Sequence, residues 1–354
     1  MGIPTEPIGS IPRPAELIGA HADFAAGRIG AERIDELTDR AVRDTIARFE
    51  AAGSSVVTDG EQAKSSFLTY PVAGLPDLDP GGLVVPFSDG HTRQLPTLTS
   101  GPFRYAAHAV DQLRAAQRLT DLPVKQSVIA PSALSLLYPA SGIDSYGREQ
   151  FLADLLDEAE ADIRQALDAG AHSVQLDFTE ARLSIKLDPS KSILRDLIAL
   201  NNQVLSRFSA DERTRIGVHT CPGGDWDATH SADVDYADLL PDLFTLRAGQ
   251  FSVALAAEPD RRRVLSIIRD HLPAGARVFI GVTDPIDPRV ESADEVRERV
   301  LEAAEFIPPD QLGTCDDCGF APFSDDTSTS RDTAFAKIAA RVEGTQKAED
   351  TLGV

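Results

Sequence analysis

"RIGVHTCPGGD", residues 215–225, is a short apolar run that stops on a polar tip and breaks at two glycines. A strand covered on both faces has this look, nearly continuous in small apolar residues and closed by turn formers. The same rhythm recurs at EPIGS (6–10), SVVTDG (55–60), KQSVIAP (125–131), SVQLDF (173–178), FSVALAAE (251–258), RVFIGVTD (277–284) and LGTCDDC (312–318). Helical spacing marks residues 34–53, 149–170 and 293–307 between them, and Gly53 and Gly170 are natural helix stops. Eight strands alternating with helices predict an α/β protein, a (β/α)8 TIM barrel. An open doubly wound sheet shares much of the local pattern, and the strand count favours the barrel.

Residues 74–104 break the rhythm. They are rich in Pro and Gly and contain the short alternating pieces GGLVVPFSDG and TRQLPTLTSG, which predict a β-hairpin insertion after the second strand, over the barrel mouth. The rest of residues 1–354 reads as a single barrel domain. Its last helix, DTAFAKIAARVEGTQKAEDTL, either packs across the barrel or supports a partner subunit.

Composition narrows the function classes. Fifty-six acidic against 34 basic residues give a net charge of -22, which repels nucleic acid and anionic membranes. A hydrophobic content of 42% with 25% charged residues suits a soluble enzyme, and no apolar run approaches the roughly 20 residues that cross a bilayer. MGIPTEPIGS lacks a secretory pattern, and three cysteines are a poor disulfide framework, so a cytoplasmic protein is expected, with Cys221, Cys315 and Cys318 free for chemistry or burial. Oligomeric state is not encoded in these features.

In such a barrel the chemistry sits at the carboxyl ends of the strands. Those ends carry Ser10, Asp59 and Glu61, Gln175 and Asp177, His219 and Cys221, Glu258, Thr283 and Asp284, and the segment from Cys315 to Cys318. Residues i and i+2 share a side of a strand, so His219 and Cys221 can face one ion, with Cys318 at the end of the eighth run as a third ligand. Zinc takes such ligands, and a catalytic site leaves one position open. His-x-Cys alone is a weak motif, equally compatible with a hydrogen-bonded core histidine and buried thiols.

Six segments, in order, resemble the cobalamin-independent methionine synthase family. PIGSIPRP resembles its IGSFPR opening, VVTDGEQAKSSF its Gly-Glu segment, VQLDF its QxDEP, HTC its zinc-binding His-x-Cys, GVTDPIDPR its GVxDxHSPR, and DDCGF its PDCGL. They span residues 7–320 and correspond to the family's catalytic barrel, without its extra amino-terminal domain. The resemblance implies a Zn2+ cofactor held by His219, Cys221 and Cys318. It also implies a glutamate ligand about one helix and one strand beyond the His-x-Cys; Glu258 is assigned there, with Cys315 as the rival. Ser10, Glu61 and Asp177 then fall on the family's amino-acid-binding positions, a donor for a carboxylate and two acids for an ammonium.

Two departures bear on the second substrate. Ile286 stands where the family has a histidine proposed to protonate the leaving group, and Pro131 stands at or beside the place of an aromatic that stacks on folate. Candidate acids in place of the histidine are Asp284, Asp287 and His230, and Trp226 either lines the pocket or packs the loop. The expected partners are a small-molecule thiol and an alkyl donor. The resemblance implies methyl transfer to homocysteine or a related thiol, with opening of an epoxide by a thiol, as in epoxyalkane:coenzyme M transferases, as a close alternative. A metal-free barrel like uroporphyrinogen decarboxylase and a closed site of His219, Cys221, Cys315 and Cys318 complete the alternatives.

Overall fold

A computed structural model describes residues 2–354. Six parallel strands form the central sheet: β1 (Gln126–Ile129), β2 (Val174–Asp177), β3 (Ile216–Thr220), β4 (Gln250–Val253), β5 (Arg277–Thr283) and β6 (Leu312–Asp316). Each pairs with the next in chain order. Except for one half-buried residue at the start of β4 and of β5, all their residues are buried, which explains why the runs are apolar throughout rather than alternating.

The two remaining barrel positions are filled by segments that carry one bridge each. Thr5 pairs in parallel with Thr314 of β6, and Val57 in parallel with Val124, just before β1. Between themselves these segments are joined by the Ile11 amide on the Gly60 carbonyl (3.0 Å) and the Thr58 hydroxyl on the Gly9 carbonyl (2.9 Å). The barrel therefore closes, but EPIGS and SVVTDG are not the regular strands that their sequence predicts. Pro4 and Pro7 have no amide hydrogen and cannot sustain a ladder on the first of them.

Helices cover the outside. Ala31–Ala51, Arg148–Asp168 and Ala293–Ala304 match the three helical readings to within three residues at either end. The last helix, Arg331–Leu352, lies along Ala293–Ala304 and against β5 and β6, so it packs on the barrel wall. A Cβ at Gly344 would stand 2.4 Å from Val296, and this glycine sets how closely the two helices approach.

The insertion is a nested hairpin. Leu78–Asp79 pairs with Thr97–Leu98, and Val84–Pro86 with Thr92–Gln94, both antiparallel. Its tip reaches over the carboxyl ends of the strands, where the Ser88 amide donates to the Thr229 carbonyl (2.9 Å). Among the described residues no helix is long and apolar enough to cross a membrane.

Candidate active site

Strand alternation places His219 on the inner side of β3, and Cys221 follows one residue past its end. Cys318 comes in from the loop after β6. The ligand atoms of the three lie within 4.8 Å of one another, and the two sulfurs are 3.2 Å apart. His219 is 2% exposed, yet among the described residues neither ring nitrogen has a hydrogen-bond partner. A buried imidazole left so costs roughly 1–3 kcal/mol, which a core histidine avoids by finding a carbonyl or hydroxyl. The neighbouring Cys221 sulfur, then burial, push the Cys318 thiol well above its usual range, so this thiol resists ionising without a cation. An unpaired imidazole beside two crowded sulfurs fits a soft divalent metal such as zinc.

The other expected ligands lie elsewhere. Glu258 is five residues beyond the end of β4, and its carboxylate accepts from Arg182 at 3.0 Å. Asp317 holds the turn before it: its carboxylate accepts from the amides of Leu255, Ala256 and Ala257 at 2.7, 2.7 and 2.9 Å. Cys315 packs inside the barrel against Ile8 and Phe279, its thiol donating to the Phe279 carbonyl at 3.5 Å. Neither assignment for the fourth ligand joins the cluster.

The cluster opens on a cavity of about 520 Å³ lined also by Ser10, Glu61, Asp177, Glu180 and His230. The Ser10 oxygen accepts from the Ala321 amide (3.3 Å), leaving its hydrogen free to donate. Gly319 lies against it; a Cβ there would meet the Ser10 oxygen at 2.1 Å. Glu61 sits in the left-handed region (φ 57°), its amide held by Asp59 at 3.0 Å. One carboxylate oxygen takes the Ser127 hydroxyl and, at 3.4 Å, the Lys64 ammonium; the other is buried without a partner. Asp177 is held by Gln175 at 2.8 Å, and burial and then the Glu61 charge push it up to about 6. Two acids with spare acceptor capacity thus face the space beside the sulfurs.

The remaining candidates divide. His230 lines the cavity, with Nδ1 at 2.8 Å from the Ser231 hydroxyl, and burial, then Lys186 and Arg182, push it down to about 4. Asp284 accepts from the Ile286 amide (3.0 Å) and Asp287 from the Arg289 amide (2.9 Å), so both stabilise their own turn, and neither lines the cavity. Ile286 does come near the cluster: a Cβ on Gly224 would lie 3.7 Å from its Cδ1 and 4.0 Å from the Cys318 sulfur. Pro131 starts a buried helical turn, Pro131–Leu134, and the wall there is formed by Ala133 and Leu136 rather than by an aromatic ring.

Trp226, 43% exposed, is outside the cavity. It covers Arg93 of the hairpin, whose guanidinium lies 4.7 Å from the Trp226 ring and 4.1 Å from that of Phe323. Arg93 also pairs with Asp225 (2.5 Å) and Asp325 (2.9 Å). One side chain therefore ties together the hairpin, the loop after Cys221 and the loop after Cys318. Sequence reasoning passed over Arg93, Asp317 and Glu180; an arginine in the hairpin read over the barrel mouth and an acid beside a strand end were the available signals.

Residues 3–341 match the family described as "Cobalamin-independent synthase, Catalytic domain". A 5-methyltetrahydropteroyltriglutamate–homocysteine methyltransferase of Streptomyces avermitilis is 28% identical over 323 residues, which are 90% of this chain and 39% of that protein. This chain thus spans about two fifths of the length of that relative. A methionine synthase of Saccharolobus solfataricus is 21% identical over 353 residues, 99% of this chain and 96% of its own length. The fold is that of a B12-independent methionine synthase from Shewanella sp. W3-18-1, solved in complex with selenomethionine, with a TM-score of 0.78 at 20% identity over 99% of both chains. The chain belongs to the family of cobalamin-independent synthase catalytic domains.

Proposed function

We propose that the protein transfers a methyl group to the sulfur of homocysteine or a closely related amino thiol, with zinc held by His219, Cys221 and Cys318. The observation that carries this reading is the buried His219 ring, unpaired on both nitrogens, beside two sulfurs at the floor of a cavity that also presents Glu61 and Asp177. Bound zinc would supply the positive charge that keeps a substrate sulfur as thiolate at neutral pH, where a free thiol is mostly protonated. Glu61 and Asp177 take the substrate ammonium, and the free Ser10 hydroxyl donates to its carboxylate. The floor thereby orients one amino thiol with its sulfur over His219, Cys221 and Cys318, where the open side of the cavity can still reach it.

The roof bears on the donor. Arg93 is the only Lys or Arg among the lining residues, and Asp225 and Asp325 already neutralise it, while Leu83, Val85, Phe87, Leu136 and Leu183 give apolar wall. Such a chamber suits a compact, largely apolar donor and disfavours the triglutamate named for the Streptomyces relative. The same apolar wall favours, as a second reading, an epoxide as the electrophile. The position of Cys315 in the barrel core speaks against a closed site of one histidine and three cysteines.

The test is a panel of thiols and alkyl donors assayed with zinc-loaded protein, together with X-ray absorption at the zinc edge. Homocysteine is expected to add a zinc–sulfur contact at about 2.3 Å. An unchanged shell sinks the reading for that thiol, and purified active protein without stoichiometric zinc supports the metal-free alternative.

A further inference from the structure

Glu180 has no part in the roles above. It opens the helix Glu180–Leu187, three residues after Asp177, and lines the cavity beside Thr179 and Leu183. It is 9% exposed, and its Oε2 is buried with no hydrogen-bond partner among the described residues.

Its other oxygen ends a hydrogen-bond chain whose direction is fixed. The Ser132 amide donates to Asn201 Oδ1 at 3.1 Å, which assigns the Asn201 amide nitrogen to the opposite side. That nitrogen donates to Ser132 Oγ at 2.9 Å, and the Ser132 hydroxyl hydrogen, whose one acceptor among the described residues is Glu180 Oε1, points there, 2.5 Å away. Oε1 is therefore an acceptor, and a proton on this carboxyl resides on Oε2, the atom without a partner. Burial pushes Glu180 up to about 7, against the Ser132 hydrogen bond and with a smaller contribution from Asp177, so a substantial fraction is protonated at neutral pH. A buried O–H with nothing to donate to costs roughly 1–3 kcal/mol, and a substrate acceptor in the cavity would relieve it.

We propose that Glu180 is the acid that protonates the leaving group of the alkyl donor. This rests on the thiol-alkylation reading above. The thiol gives up its own proton to solvent when it binds. Its sulfur then forms a bond to the donor's electrophilic carbon, the bond from that carbon to the leaving nitrogen or oxygen breaks, and the electron pair stays on the leaving atom. That atom takes the proton from Glu180 Oε2. The resulting carboxylate keeps the Ser132 hydrogen bond and is reprotonated from solvent, so the products are the alkylated thiol and the protonated leaving group. Ile286 has no proton to give, Asp284 and Asp287 do not line the cavity, and His230 is neutral at pH 7.

The experiment compares wild type, Glu180→Gln and Glu180→Asp, all zinc-loaded with homocysteine, on two kinds of donor. An N-methyl tertiary amine of the 5-methyltetrahydropteroyl type and a small epoxide both need a proton on departure; methyl iodide and trimethylsulfonium do not. Glu180→Gln is expected to lose about 10²- to 10⁴-fold in kcat/KM on the proton-requiring donor that wild type uses, and to change less than about 2-fold on methyl iodide. Glu180→Asp keeps a carboxyl and is expected to recover part of the loss. An undiminished rate in Glu180→Gln, an equal loss on methyl iodide, or a wild type that uses no proton-requiring donor overturns the role of Glu180. A wild type that alkylates no thiol from any donor overturns the proposed function itself.

Discussion

The floor and the roof of the cavity are built by different means. The sheet sets Asp177 and His219 opposite each other on adjacent parallel strands, and Cys221 and Cys318 follow one and two residues past the ends of β3 and β6, so all four meet at one end of the barrel. The roof has no such frame. Hairpin, the loop after Cys221 and the loop after Cys318 are held over the floor by Arg93 and its two carboxylates. A site whose reactive atoms stand on or just past strand ends and whose walls stand on longer loops can change its second substrate without moving its first.

Breaking the floor is expected to have the largest effect. Cys221→Ala should lose the metal and at least about 10³-fold in turnover, the several kcal/mol a bound metal contributes, with the barrel intact by circular dichroism. Cys315→Ala is the matched control, since Cys315 is three residues from Cys318 but packs in the core. It should keep the metal at full stoichiometry. Metal analysis of the two variants decides the comparison, and full activity in Cys221→Ala would refute the mechanism.

Breaking the roof should leave the metal in place. Arg93→Met removes the charge that pairs with the fully buried Asp225 side chain, leaving His91 at 3.0 Å as its remaining partner. Removing one member of a buried pair costs about 3 kcal/mol, the lower end of the range because Arg93 is partly exposed. The expected result is a lower urea midpoint and a raised KM for the alkyl donor, with zinc content and thiol affinity unchanged. Loss of zinc in this variant would show that floor and roof are one unit.

The same division explains what the sequence could tell. Six of the eight apolar runs became strands because burial on both faces writes itself into composition. Alternation then made the His219 and Cys221 pair readable, the end of the eighth run offered Cys318, and a match of six segments supported all three. Glu258 lies outside the cluster, its carboxylate on Arg182 76 positions away, a tertiary contact with no periodic signal in the sequence. Arg93 and Glu180 were passed over for a related reason: what they touch, Asp225 and Ser132, is distant in sequence and carries no periodic signal.

His230 stands where floor meets roof, and it sharpens the comparison by titration. In the unfolded chain it ionises near pH 6.5, whereas in the folded protein burial and two cations hold it down to about 4. The folded state therefore binds this proton less readily than the unfolded one. The linked stability is fully present above about pH 6.5 and is lost as pH falls toward about 4, at no more than about 1.4 kcal/mol per pH unit. Below that value both states carry the proton and the loss levels off. Measured on metal-free protein, so that ligand protonation does not intrude, the urea stability of wild type minus that of His230→Gln should shrink steadily between pH 6.5 and 4. The Cys318, Asp177 and Glu180 carboxyls and thiol are common to both proteins and cancel in the difference. Parallel curves would mean that His230 is solvated in solution, and that the roof opens far more often than the Arg93 clamp allows.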